Sequence, residues 1–285
     1  MPQIAPEQTG RVAVLAGGDS LERDVSLRSG DGVIEALKRK GFDTVAVDPD
    51  EDLITQLRDE KADVVFNVLH GGKGEDGTVQ AVLEMAGIPY TGSGLLASAL
   101  AMNKVQTKRL LQATNVPTPA YHVIDADQDI GKQCRFAANS LRLPAVCKPH
   151  NQGSSIGVSI VKHLEEMIGA CEALVEKYGG ALVERYCDGP EVTVAVLGTG
   201  DEVRALPLLE LRPKREFYDY EAKYTEGMTE FVIPADVEPM AARMAQQVGI
   251  RAHKVLGCHG WSRVDMHIDA EGMPQVHEVN SIRTG

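Results

Sequence analysis

No CxxC pair occurs among the five cysteines, and their number is odd. Cys134, Cys147, Cys171, Cys187 and Cys258 therefore read as reduced thiols, neither a disulfide framework nor a zinc site. The first residues, MPQIAPEQTG, lack a basic region and an apolar stretch, so no secretory signal is expected. No apolar run is long enough to cross a bilayer, and the expected location is the cytoplasm. Positive charge is scarce. Basic residues number 29 against 41 acidic ones, for a formal net charge of -12. Such a surface does not suit nucleic acid or an anionic membrane as the main partner. An anionic small ligand remains compatible, because a few lysines in a cleft reverse the field locally.

Several signatures are also missing. GxGxxG is absent from the first glycine turn, and GxxxxGK[ST] is absent throughout. A nicotinamide dehydrogenase and a P-loop kinase both lose support. There is no GxSxG elbow and no local cysteine signature, so covalent catalysis has no sequence basis, and the histidines show no HExxH or other metal spacing.

What is present points to an α/β protein. A chain of 285 residues exceeds what one core usually serves, so two or three domains are expected. Residues 11–16 (RVAVLA) read as a strand ending in Gly17-Gly18. A helical stretch follows, with Val33, Ile34 and Leu37 on one face. A strand at 44–47, a helix at 53–57 and a strand at 64–69 complete a βαβαβ pattern, which implies a parallel sheet. Gly71, Gly72, Gly74 and Gly77 punctuate the next turn. Ligands bind beyond the carboxyl ends of such strands, so both glycine turns fall on the functional edge.

Residues 104–113 read as a basic helix. Strands at 145–148 and 158–161 bracket HNQGSSIG, a glycine-serine loop whose N–H groups can cover phosphates as a flap. Strands are expected at 181–184, 192–197, 262–268 and 274–279, with a helix at 239–256 before the last two. Arg263 and Asp265 share one strand face, as do Glu278 and Asn280. If these strands pair, two carboxylates and an amide converge, a set suited to Mg²⁺. Taken alone, the hairpin reads as a solvated polar edge. Lys104 and Lys148 each read singly as surface lysines, but with the flap they make a phosphate clamp. Glu184, Tyr186, Cys187 and Glu191 offer a surface for a purine and its ribose. The competing reading is a strand end and a turn. Glu22 either favours a helix N-terminus or faces an ammonium group. The run FYDYEAKY reads as an ordered loop or lid. Among the histidines, His70 alone is a site candidate. His267 shares a face with Asp265, and His150, His259 and His277 are assigned to structure or surface.

In order, RVAVLAGGDSLERDVSLRSG, HGGKGEDGTVQAVLEMAGIPYTGSG, LASALAMNKVQTK, KPHNQGSSIGVS, GPEVTVAVL, FYDYEAKY, SRVDMHID and HEVNS resemble the motifs of the D-alanine–D-alanine ligase family of the ATP-grasp superfamily. The combination is far more specific than any single piece. The resemblance implies a three-domain ATP-grasp fold. Residues 1–102 would be a Rossmann-like substrate domain, 103–184 a central subdomain with the flap, and 185–285 a C-terminal subdomain with the metal site. ATP would lie between the last two, clamped by Lys104 and Lys148, with Ser155, Phe217 and Lys223 also in contact. Glu184 and Glu191 would hold adenine and ribose beside Tyr186 and Cys187. Asp265, Glu278 and Asn280 would bind two Mg²⁺, or Mn²⁺ in their place.

The resemblance further implies that Glu22 binds the first D-alanine near His70, and joins Ser154 and Tyr224 in a triad. Arg263 would stabilise the oxyanion and the transferring phosphate. The implied activity joins two D-alanines through an acyl phosphate for peptidoglycan precursors, in a homodimer. Alternatives are a D-lactate or D-serine acceptor, or an inactive nucleotide-binding homologue. Tyr224 favours D-alanine. Two departures stand out. The family continues after EVN with a Thr-x-Pro-Gly-Met-Thr stretch and a Ser-Leu pair, whereas this sequence reads Ser281-Ile282-Arg283-Thr284-Gly285, so that either the chain is cut short or its second-substrate site is incomplete. His267 stands where the family tends to be apolar.

Overall fold

The computed structural model describes residues 5–153, 156–214 and 227–282. Ser154, Ser155, Phe217, Lys223, Tyr224 and Arg283 lie outside the described residues. The chain divides into two compact units. One holds residues 1–100, 257–262 and 280–285; the other holds residues 101–256 and 263–279.

In the first unit a single helical turn, α1 (Pro6–Thr9), precedes β1 (Val12–Leu15). β1 is the middle strand of a parallel sheet, between β2 (Thr44–Val47) and β3 (Val64–Asn67). All four β1 residues are buried, as a central parallel strand covered on both faces requires. Ala13 and Leu15 pack with Leu57 of α3 (Leu53–Asp59) and Leu83 of α4 (Thr78–Ala86). Val12 and Val14 pack on the other face with Val33, Ile34 and Leu37 of α2 (Arg23–Arg39). Burying each such aliphatic side chain contributes roughly 1.5–3 kcal/mol. Gly30 lets α2 approach, since a Cβ there would collide with the Ala16 methyl. α5 (Leu95–Met102) and α6 (Lys104–Ala113) follow.

The turns after β1 and β3 are tied together. Gly17 N–H donates to Ser26 Oγ at 2.9 Å, and Ser26 Oγ donates to Val68 O at 2.8 Å. Ser20 Oγ donates to His70 O at 2.5 Å. Both glycine turns therefore meet at the carboxyl edge of the parallel sheet.

The second unit has two antiparallel layers. Its first sheet runs β4 (Tyr121–Asp125), β7 (Gly180–Arg185), β5 (Ala145–Pro149), β6 (Ser159–Val161). α7 (Ile130–Leu141) and α8 (Leu164–Tyr178) cover one face. Ala145 and Cys147 of β5, with Ala181 and Val183 of β7, enter that core beside Cys134, Met167, Cys171 and Leu174. Strand alternation sends Lys148 and Glu184 to the opposite face. The core is apolar and its thiols act as small hydrophobes.

The second sheet has the order β11 (Thr229–Val232), β10 (Leu209–Pro213), β8 (Glu191–Leu197), β12 (Trp261–Ile268), β13 (Pro274–Asn280), with β9 (Arg204–Ala205) beside β8. α9 (Pro239–Val255) packs on β8, where Gly249 lies against Val194. Val192, Val194 and Val196 are fully buried. Thr193 points the other way and shares a face with Asp265. β4, β10 and β11 are not among the strands that the sequence marks. TEFV and LELRP are short and charged, so their alternation is weak.

Candidate active site

The helix α6 presents Lys104 and Lys108 one turn apart on the same face. Asn103 caps it, accepting from Gln106 N–H at 3.0 Å. Lys104, Lys108 and Lys148 are 7%, 0% and 6% exposed, so the surface-lysine reading of Lys104 and Lys148 fails. Each is held by oxygen. Lys104 Nζ donates to Gln152 O at 2.7 Å and lies 3.2 Å from Glu278 Oε2. Lys148 Nζ lies 2.8 Å from Glu184 Oε1, and Lys108 Nζ lies 3.0 Å from the same oxygen. Lys108 also donates to Thr118 Oγ1 at 2.7 Å. Thr118 Oγ1 in turn donates to Val276 O on β13 at 2.7 Å.

Glu184 is fully buried. Burial pushes its carboxyl upward, but the ammonium groups of Lys108 and Lys148 outweigh this and hold it well below the usual range. Two ammonium groups share that one carboxylate, and burial brings Lys108 down to about 8. A buried ion cluster persists only when its groups are mutually paired, as here.

His277 completes the cluster. Its Nδ1 is 3.3 Å from Glu184 Oε2. Its ring meets His267 edge to face, with centroids 4.8 Å apart at 75°. Of the structure-or-surface reading of His277, these contacts favour structure over an exposed surface position. The in-and-out alternation of β13 slips between His277 and Glu278, so both are partly exposed. A strict two-residue period hides that slip, as it does at a β-bulge.

On β12 the alternation is regular: Arg263, Asp265 and His267 are partly exposed, and Val264, Met266 and Ile268 are buried. Arg263 grips Asp265 with Nε at 2.9 Å from Oδ1 and Nη2 at 2.9 Å from Oδ2. Thr193 Oγ1 donates to Asp265 Oδ1 at 2.6 Å. The fork geometry orients both side chains while leaving them at the partly exposed face. β13 is the edge strand of the sheet. Beyond β7, Gly189 lies so close to Ile268 O that a Cβ would overlap it, which pins the 188–190 turn to the end of β12. Cys187 is half-buried on this turn, and burial followed by the Glu184 charge pushes its thiol up to about 11. Glu191 opens β8 and Asn280 closes β13, both partly exposed.

The first unit holds its own pair. Glu22 and His70 are 4% and 2% exposed. Glu22 is the N-cap residue of α2, and its side chain makes no capping hydrogen bond. Its Oε2 lies beside Gly71, the residue after His70, at 3.0 Å from where a Cβ would stand.

Of the residues expected from the sequence, Lys148 meets Glu184, Lys104 meets Glu278, and Arg263 meets Asp265. The sequence reading gave no role to Lys108, Thr118, Thr193 or His277. Only Lys108 had a local signal, its one-turn spacing from Lys104.

Family models match twice. "D-ala D-ala ligase C-terminus" matches residues 110–283, and "D-ala D-ala ligase N-terminus" matches residues 51–93. The chain is 44% identical over 277 residues to the D-alanine–D-alanine ligase of Stutzerimonas stutzeri, covering 97% of this chain and 86% of the relative. Its fold is similar to the D-alanine–D-alanine ligase of Bacillus anthracis complexed with ATP, with a TM-score of 0.82 and 28% identity, covering 96% of this chain and 86% of the other. It is also similar to the VanG D-Ala:D-Ser ligase from Enterococcus faecalis, with a TM-score of 0.82 and 30% identity, covering 96% and 91%.

Proposed function

The chain belongs to the D-alanine–D-alanine ligase family, and from that premise we propose which of its residues carry the reaction. The activity is ATP-dependent ligation of two D-alanines, on an ATP-grasp fold. One observation carries the site assignment: three nearly inaccessible ammonium groups share the carboxylates of Glu184 and Glu278. Positive charge in excess at a buried place is what a triphosphate relieves.

Lys104 and Lys148 bind the phosphates, and the nucleotide competes with Glu278 and Glu184 for them. Lys108 stays with Glu184 when Lys148 turns away, so the buried carboxylate is never left unpaired. Glu184 and Glu191 serve adenine and ribose, with Tyr186 and Cys187 alongside. Glu22 and His70 serve the first D-alanine. Ser154, Ser155, Phe217, Lys223 and Tyr224 keep the flap and lid roles that the resemblance implies. The proposed domains are 1–102, 103–184 and 185–285, in a cytoplasmic homodimer.

Asp265, Glu278 and Asn280 supply oxygen donors only, a set that fits Mg²⁺. Bound there, Mg²⁺ offsets the charge of the triphosphate. In the proposed sequence, the carboxylate of the first D-alanine attacks the γ-phosphorus and ADP leaves. The amine of the second attacks the acyl carbon, an amide forms, and phosphate and a proton leave. Arg263 steadies charge on the transferring phosphate and on the tetrahedral oxygen.

Calorimetry with ATP, followed by D-alanine-dependent ADP release and product analysis, tests this reading. Saturable ATP binding and D-alanyl-D-alanine are expected. Failure of Lys148→Ala to weaken ATP binding would remove the clamp assignment. A D-serine adduct formed in preference would shift the acceptor toward that of the VanG neighbour.

A further inference from the structure

Two imidazoles stand at the edge of the lysine cluster, and the reaction as derived uses neither. They come from consecutive strands, His267 on β12 and His277 on β13. Their rings meet edge to face at 4.8 Å. His267 Nδ1 and His277 Nε2 are both buried, with no hydrogen-bond partner among the described residues. Buried polar atoms are normally paired, and an orphaned one invites a ligand. Two orphans on rings that meet edge to face, one of them held by a carboxylate already flanked by Lys148, mark a place for a polar group that arrives with the nucleotide.

The protonation pattern of His277 follows from its neighbour. Its Nδ1 faces Glu184 Oε2 at 3.3 Å. A carboxylate only accepts, so Nδ1 carries the hydrogen. In a neutral imidazole the other nitrogen, Nε2, is then a lone-pair acceptor. An acceptor fixed in this way needs a donor. A 6-amino purine supplies one, and a 6-oxo purine presents a carbonyl oxygen at the same position, which repels it.

We propose that His277, braced by Glu184 and His267, reads the base of the nucleotide, its Nε2 accepting from the 6-amino group of adenine. The proposal rests on the nucleotide site assigned above. His267 is the positioning residue, since its ring fixes the plane of His277. A polar site made for a hydrogen bond rejects the analogue that cannot form it more strongly than an apolar pocket does.

The test compares ATP with inosine triphosphate, which differs at the 6-position and at the adjoining N1–H. Binding by calorimetry and kinetics are measured at about pH 8, where an imidazole of ordinary pKa is neutral. The variants are H277F, which keeps a flat ring and loses both nitrogens, H277Q, which keeps an acceptor, and H267L. In the parent, ATP is favoured over inosine triphosphate. H277F is expected to raise Kd and KM for ATP roughly 5- to 10-fold, the loss of one hydrogen bond. It should leave inosine triphosphate and kcat nearly unchanged, so the preference collapses. H277Q should recover part of the preference, and H267L should weaken it. If the parent binds no ATP, both this inference and the assigned site fall. If the parent binds ATP but H277F keeps its preference, the base-reading role alone falls and the nucleotide site stands.

Discussion

Glu184 and Asp265 are both carboxylates held by cations, yet they sit in opposite environments. Glu184 has no exposure and is surrounded by Lys108, Lys148 and His277. Asp265 sits on a partly exposed strand face, its side chain 14% exposed, where Arg263 and Thr193 both reach it. The first arrangement is costly to disturb at its centre, because removing the carboxylate leaves two buried ammonium groups without it. The second can exchange partners, since its oxygens border the partly exposed face. One carboxylate anchors the lysines around the proposed nucleotide site, and the other borders the proposed metal site.

The contrast predicts its own failures. Removing the Glu184 carboxylate, as Glu184→Ala, should destabilise the protein by about 3–5 kcal/mol, because two buried ammonium groups lose their partner. Chemical denaturation measures this, and a loss below about 1 kcal/mol would mean that water already reaches the lysines. Asp265→Asn should leave the denaturation midpoint nearly unchanged while turnover drops at least about 100-fold. A midpoint shift as large as that of Glu184→Ala would erase the distinction between the two sites.

Acid titration sharpens it further. The folded pKa of Glu184 lies well below its unfolded value of 4.5. Its contribution is therefore fully present above pH 4.5 and is lost as pH falls through the lowered pKa. Stability measured on the acid side should decline more steeply in the parent than in Glu184→Gln. Equal slopes would show that the carboxylate is not held down. The smallest effect is expected from Thr193→Val, which removes the 2.6 Å hydrogen bond to Asp265. Losing one such bond costs about 0.5–1.5 kcal/mol, so turnover should fall several-fold with the fold intact.

Much of this was legible along the chain. The apolar runs of β1, β5 and β7 and the basic stretch of α6 placed the elements. The partners were harder to read. Lys104 and Lys148 read as surface lysines because nothing near them in sequence is acidic. Their carboxylates come from β13 and β7. The contact of His277 with Glu184 was not legible either, because the alternation of burial along β13 breaks between His277 and Glu278.

The sequence by itself determined the family, the parallel first sheet and the face of β12 that carries Arg263 and Asp265. Those are local properties, set by backbone period and by motifs read in order. Only the tertiary structure decided which lysine meets which carboxylate, and that Thr118 reaches Val276 across 158 residues. Such pairings depend on how two sheets and a helix close on one another. A low-dielectric interior then makes each of those long-range choices matter, because charges that fail to meet there cannot turn back to water.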